Sequence, residues 1–351
     1  LGRRLVHRAP WKTHVKVLGW AFLVLIVLLQ IIGPAYYRQN IYDLHRPYYL
    51  QWATYISLGF FAYLVVLTAG FDVVGFIQKT LFKKQTDLVN SGRRDFLRVT
   101  GLSAGATAVG MGQVAMGPKV YDLEVPFDNL PADLWGFKIA QITDLHTGPL
   151  IDKKYVENVV AMTNALKPDL IALTGDFIDG TIAELRDHVS PLSKLNARYG
   201  IYYTTGNHEY YWGADAWVDH FKSLGAIPLN NEHKVVTVGL TKMIVAGVTD
   251  NSAGMYDEKL KSDPQKSILG APEDASFKLL LAHQPKSCYE AFTAGFDLQL
   301  SGHTHAGQFF PWNILVRFAH PYYKGLNLHN NKMWVYVSRG TGYWGPPFRT
   351  G

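Results

Sequence analysis

Two long stretches without a single charge set the strongest limit on this chain. Residues 17–37 hold 21 positions free of Asp, Glu, Lys and Arg, and 22–29 carry no polar atom on any side chain. At about 1.5 Å rise per residue, such a helix crosses a hydrocarbon layer of about 30 Å. A second uncharged run covers 47–71, with Trp52, Tyr55, Phe60, Phe61 and Tyr63 as interfacial and lipid-facing aromatics. Two membrane-spanning helices are the economical reading, because a buried core helix rarely needs so long an unbroken apolar run.

The charge distribution points the same way. Of 351 residues, 48% are hydrophobic and only 18% charged. The first 100 hold 13 basic and 4 acidic side chains, leaving 21 and 24 for the rest, so the positive excess lies among the apolar segments. No nucleic-acid partner is expected from that pattern. Arg3, Arg4, Arg8, Lys12 and Lys16 precede the first run, and Lys79, Lys83, Lys84, Arg93, Arg94 and Arg98 follow the second, whereas the loop between carries Arg38 and Arg46. By the positive-inside rule both flanks are cytoplasmic and the 38–46 loop is outside.

A weaker third run, 99–118, is rich in Gly, Ala, Ser and Thr. It follows Arg93-Arg94-Asp95-Phe96-Leu97-Arg98, which resembles a twin-arginine export signal. Export of the downstream part is the expectation, against a small-residue helix packed on its neighbours or a cytoplasmic linker. This gives a membrane region over 1–118 and a second domain over 119–351. The only cysteine, Cys288, excludes an intramolecular disulfide and is expected to be a packing residue.

Beyond Pro118 short apolar runs alternate with amphipathic segments, an α/β pattern. Strands are expected at 137–143, 169–174, 200–205, 235–248, 277–282, 298–300 and 332–337, and helices at 153–166, 183–195, 214–224 and 286–294. Polar clusters directly follow five of these strands: Asp144-Leu145-His146, Gly175-Asp176-Phe177-Ile178-Asp179, Gly206-Asn207-His208-Glu209, His283, and Gly302-His303-Thr304-His305. Carboxylate and amide oxygens mixed with imidazoles, without thiolate, suit hard-to-borderline divalent metals. On an extended backbone, the alternate residues of Asp-x-His and His-x-His would point the same way.

These blocks resemble the calcineurin-like metallophosphoesterase family, within it the membrane-associated bacterial phosphodiesterases, over about 120–345. The resemblance implies a β-sandwich flanked by helices, preceded here by two or three transmembrane helices, with two divalent ions (Mn, Fe, Zn, Co or Mg) at the strand ends. It implies Asp144, His146, Asp176 and His305 as ligands of one ion and Asp176, Asn207, His283 and His303 as ligands of the other, Asp176 bridging. His208 corresponds to the catalytic histidine and Asp179 to the carboxylate that orients it. The family's members usually continue into a closing strand or two where this sequence stops, and it opens on Leu1, so both ends are expected to extend further.

The implied chemistry is hydrolysis of a phosphodiester, pyrophosphate or phosphomonoester by water activated between two ions, with His208 at the leaving oxygen. A lipid-linked or cell-envelope substrate fits a domain tethered at the outer face of a bacterial cytoplasmic membrane. The protein phosphatase branch carries Arg where this chain has Gly180, which disfavours that activity. A non-catalytic membrane scaffold that keeps the fold is the alternative. Glu209, either a hydrogen-bond partner of the ligands or only a helix-entry carboxylate, is left out of the site, Asp250 and Asn251 read as turn formers, and His188, His220, His233, His320 and His329 as surface or packing residues. Tyr210, Tyr211, Trp212, Phe309, Phe310, Trp312, Phe318, Tyr322 and Tyr323 are each expected to pack. As a group they could form an apolar wall for a lipid or dip into the membrane interface.

Overall fold

A computed structural model describes residues 1–7, 9–39, 49–81 and 88–350. Arg8, Arg46, Lys83 and Lys84, and with them residues 40–46 of the loop expected outside the membrane, lie outside the described residues, whereas Arg38 falls in the first long helix. The chain divides into two compact units. One is Leu1–Met116 with two short returns, Phe309–Pro311 and Gly345–Thr350; the other contains Gly117–Gln308 and Trp312–Trp344.

The first unit is built on α1 (Thr13–Gln39), α2 (Tyr49–Leu81) and α3 (Leu88–Ala115). Among the described residues, α1 and α2 are the helices long and apolar enough to cross a membrane. Only 17% of each apolar window is buried, and Leu18 and Ile31 are more than half exposed, unlike the core helix of a water-soluble domain. A small core of Leu5, Val6, Leu23, Ile26, Leu64 and Val99 joins the helices. Arg4 bonds Asp72 on α2 at 2.6 Å and Asp95 on α3 at 3.0 Å. Helix α2 runs ten residues past the uncharged run, and Arg4 gives Asp72 a partner within that extension. Helix α3 starts at Leu88, so Arg93 and Arg94 lie within it rather than ahead of it. The two returns bring Phe309 and Phe348 against Tyr63, whose hydroxyl lies 2.7 Å from Thr350 Oγ1.

The second unit has ten strands and seven helices in the order β1 (Ile139–Ile142), α4 (Lys153–Ala165), β2 (Leu170–Thr174), α5 (Ile182–Val189), β3 (Ile201–Thr204), α6 (Asn207–Tyr211), α7 (Ala214–Ser223), β4 (Ile227–Pro228), β5 (Glu232–Val238), β6 (Thr241–Gly247), α8 (Pro264–Ser267), β7 (Phe277–Leu281), α9 (Cys288–Ala294), β8 (Leu298–Ser301), α10 (Trp312–Ala319), β9 (Gly325–His329) and β10 (Met333–Val337). A parallel sheet runs β1-β2-β3-β4, and a mixed sheet runs β5-β6-β7-β8-β10-β9. Side chains alternate across each strand, so Leu170, Ala172, Met243, Val245, Leu279, Leu281, Leu298 and Leu300 form a core shared by both sheets. On the outer face of the mixed sheet, Ile244, Leu280 and Val335 pack on Cys288 and Ala291 of α9. On the parallel sheet, Tyr203 of β3 meets Phe221 of α7 with ring centroids 4.6 Å apart. The expected helix-flanked β-sandwich is therefore the architecture.

Local departures have local causes. The run 235–248 is two antiparallel strands, because Gly239 takes a positive φ of 59° and Asp133 accepts the Leu240 and Thr241 N–H groups, closing a tight turn. Valine alternation on both sides of that glycine hides the turn. The expected helix 183–195 stops at Val189, and a 3₁₀ turn, Ser190–Lys194, follows because Pro191 cannot donate to a continuing helix. Helix α10 and strand β9 had not been expected.

Candidate metal centre

Parallel strands deliver their carboxyl ends to one edge, where loops are free to converge. From the parallel sheet, β1 leads into Asp144 and His146, β2 into Asp176 and Asp179, and β3 into Asn207 and His208. From the mixed sheet, β7 leads into His283 and β8 into His303 and His305. The backbone in these loops is not extended as expected. Asp144, His146, Asp176, His303 and His305 all have positive φ, between 49° and 70°. Left-handed residues turn the chain sharply; His303 and His305 join different clusters, whereas Asp144 and His146, with the same sign of φ, share one.

Three clusters result, each with ligand atoms within 4.8 Å of one another: Asp144, His146 and His305; His146, Asp179 and His208, which shares His146 with the first; and Asp176, His283 and His303. His146 Nε2 lies 3.0 Å from His305 Nε2, and His305 Nε2 lies 3.5 Å from Asp144 Oδ1. On the other side, His283 Nε2 is 3.0 Å from Asp176 Oδ2 and 3.3 Å from His303 Nδ1. Asp176 Oδ2 is also 3.9 Å from both His146 Nε2 and His208 Nε2, so it lies between the groups.

Outer hydrogen bonds fix which ring atoms face inward. His283 Nδ1 donates to the Thr174 carbonyl at 2.8 Å, which leaves Nε2 as an acceptor pointing at a carboxylate. Two acceptors 3.0 Å apart in a buried site need a cation between them, a proton or a metal ion. Asp179 Oδ1, which can only accept when ionised, lies 3.2 Å from His146 Nδ1 and 2.5 Å from His208 Nδ1. Backbone N–H groups also steady the carboxylates: His208 N donates to Asp176 Oδ1 and His303 N to Asp144 Oδ1, each at 2.8 Å, while the Thr143 hydroxyl donates to Asp144 Oδ2 at 2.9 Å. Asn207 Nδ2 donates to the Tyr211 hydroxyl at 3.0 Å, while its buried Oδ1 has no hydrogen-bond partner among the described residues. A neutral oxygen left bare beside carboxylates and imidazoles fits a divalent ion.

Electrostatics separates the roles. Burial opposes a charged imidazolium at His208, but Asp176 and Asp179 outweigh it and raise the pKa to about 9. Enclosure would raise Asp179, yet His146 and His208 hold it well below the usual carboxylate range. Burial, followed by the neighbouring His283, pushes His303 down to about 3.

Several supports lie outside the expected site. Glu209 is fully buried and accepts from Gly206 N at 2.7 Å, Asp176 N at 3.0 Å and Phe177 N at 2.8 Å, tying the β2 loop to the β3 loop, so of its two expected roles it takes that of hydrogen-bond partner. Its position in the first turn of α6, three residues after Gly206, is the signal for that role. Gly206 itself leaves no space for a side chain, because a Cβ would collide with Asp176. His320, read as a surface or packing residue, sets its ring edge-on to His303 at 5.1 Å. Tyr211 and Trp344, both more than half exposed, flank His208 at 5.0 and 6.0 Å. At Gly180 a Cβ would meet Leu185 Cδ1 at 2.9 Å, so no side chain fits there without a shift.

Comparison with known proteins agrees with this geometry. The calcineurin-like phosphoesterase family profile matches residues 137–307. A "transmembrane protein with metallophosphoesterase domain" of Danio rerio is 33% identical over 343 residues, covering 94% of this chain and 77% of the relative. An "uncharacterized metallophosphoesterase" of Helicobacter pylori is 32% identical, covering 96% and 88%. One of Campylobacter jejuni is 30% identical, covering 99% and 90%. Strand-end carboxylates and imidazoles gathered on a helix-flanked sandwich, in a chain aligned almost end to end with such relatives, make this protein a member of the calcineurin-like phosphoesterase family and a metal-dependent phosphoester hydrolase.

Proposed function

We propose that the chain is a membrane-anchored phosphohydrolase that holds two divalent ions and cleaves a phosphodiester, pyrophosphate or phosphomonoester, with a lipid-linked or cell-envelope substrate. Asp144, His146, Asp176 and His305 would hold one ion, and Asp176, Asn207, His283 and His303 the other. The observation that carries this reading is the placement of Asp176 Oδ2, 3.0 Å from His283 on one side and 3.9 Å from His146 on the other. Such ions, when bound, supply Lewis acidity toward phosphoryl oxygens and the attacking water.

The chain's own groups account for the rest. Asp179 takes the Nδ1 proton of His208 as a hydrogen bond and stabilises its cationic form, so Nε2–H is available to the departing oxygen. The same carboxylate orients His146. Glu209 keeps the Asp176 loop in register through three backbone N–H groups. Tyr211 and Trp344 offer ring faces beside His208 to the part of the substrate beyond phosphate. The basic flanks of α1 and α2 put both of those ends at the cytoplasmic face; the outer-face placement in a bacterial cytoplasmic membrane rests instead on the twin-arginine-like segment of α3 carrying the chain across.

Hydrolysis of bis(p-nitrophenyl) phosphate by the full chain, with Mn2+ and after chelation, tests the reading. Turnover should vanish on chelation and return with metal. No turnover with two metals bound would leave the scaffold, and faster turnover of phosphopeptides than of small diesters would favour a protein phosphatase.

A further inference from the structure

Helix α10 is built inside out for a water-soluble domain. Trp312 and Phe318 are 51% and 85% exposed, Ile314 and Leu315 nearly half, and none of its eight residues is buried. At 100° per residue, Trp312, Ile314, Leu315, Val316, Phe318 and Ala319 sweep a broad apolar arc, with Asn313 and Arg317 in the gap. Of the polar members, Asn313 is half-buried and Arg317 exposed. Asn313 Oδ1 is enclosed without a hydrogen-bond partner among the described residues, and its backbone abuts Gly307. Arg317 lays its guanidinium over the Tyr323 ring at 4.8 Å. Helix α4 does the opposite, burying Val156, Val159 and Val160.

The surrounding sequence selects what could cover such a face. Residues 298–351 contain Arg317, Lys324, Lys332, Arg339 and Arg349 and no Asp or Glu. A broad apolar surface with Trp and Phe on a uniformly basic segment suits the headgroup region of an anionic bilayer. The chain already carries two helices long and apolar enough to enter one. Both ends of α10 also touch the metal centre: Gly307, two residues after His305, packs on Asn313, and His320, directly after the helix, meets the His303 ring at 5.1 Å.

We infer that α10 is an interfacial helix seated in an anionic lipid surface, holding the metal centre at the headgroups. A phosphoester could then enter the site while its acyl chains stay in the bilayer, an extension that rests on the proposed hydrolase reading. The seating itself requires no turnover.

The test uses the full chain in nanodiscs of phosphatidylcholine with phosphatidylglycerol, carrying a nitroxide label at Phe318→Cys or, separately, Leu315→Cys. Leu240→Cys, on the 97% exposed β5–β6 turn, is the control, and the native Cys288 is buried. Labels at 318 and 315 should collide more with dissolved oxygen than with a water-soluble chromium chelate, and the label at 240 should show the reverse. In phosphatidylcholine alone the oxygen preference should fall. Chelate access at 318 equal to that at 240 would overturn the inference, as would shielding from both reagents, which would mean a protein partner such as a second copy. An oxygen preference unchanged without anionic lipid would overturn the choice of an anionic surface. Insertion without hydrolysis of bis(p-nitrophenyl) phosphate would defeat the proposed function and leave the lipid seating standing; hydrolysis without insertion would do the reverse.

Discussion

The two sheets bring different chemistry to one edge. The parallel sheet delivers the carboxylates Asp144, Asp176 and Asp179, the Asn207 amide and two imidazoles, and the mixed sheet delivers three imidazoles and no carboxylate. Negative charge is thus concentrated in loops that Glu209 ties together, whereas His283, His303 and His305 arrive across the sandwich core. Every cluster but that of His146, Asp179 and His208 needs both sheets. The difference teaches that packing of the shared core, more than any one loop, decides whether a pair of ion sites can exist.

The sharpest way to break that contrast is Asp176→Asn, which removes the one carboxylate placed between the clusters. Loss of activity on bis(p-nitrophenyl) phosphate should exceed the about 10²–10³-fold cost of deleting a single charge-stabilising donor. Elemental analysis should show fewer than two ions per chain; two ions and near-native kcat/KM would dissolve the proposed centre. His208→Gln should lower kcat by about 10²–10⁴-fold with both ions retained. That result separates proton donation from ion binding within the parallel sheet, and loss of metal together with rate would merge them.

Glu209→Gln asks whether the acidic loops depend on their buried clamp. One backbone N–H would face an amide N–H₂, and a buried donor without a partner costs about 1–3 kcal/mol. At roughly 2–4 °C per kcal/mol for a unit of this size, Tm should fall by several degrees. An unchanged melting curve would show that the loops hold themselves.

Asp133, in the 3₁₀ turn Ala132–Leu134, is the exposed counterpart that clamps the β5–β6 turn of the mixed sheet. The Leu240 N–H, then the Thr241 hydroxyl, hold its carboxyl below the ordinary value. A depressed folded-state pKa stabilises the fold at pH values above the ordinary carboxylate range, and that contribution is lost as pH falls through the depressed value. Asp133→Asn should therefore remove a small part of the acid sensitivity of Tm, the smallest effect of the four. Identical acid melting profiles for both proteins would assign the sensitivity elsewhere.

Much of this was legible because each strand-end block carries its own chemistry. Gly175-Asp176, Gly206-Asn207 and Gly302-His303 announce sharp turns with ligand-type side chains, and apolar runs ahead of them announce strands. Directions were harder to read than identities. Spacing leaves open whether His303 and His305 hold one ion or a pair, and no side-chain pattern encodes the positive φ that sets their directions. Glu209 reads equally as a hydrogen-bond partner of the ligands or as a helix-entry carboxylate, since only the fold reveals that its three donors come from two loops. Helix α10 escaped because its apolar residues look like core when the direction of burial is unknown.

One oxygen of Asp179 serves His146 and His208 together. On the proposed reading, adaptation of His146 to an ion of another radius would be transmitted through that atom to the His208 ring. Tuning which element such a centre prefers and which leaving group it releases would then be one design problem, not two.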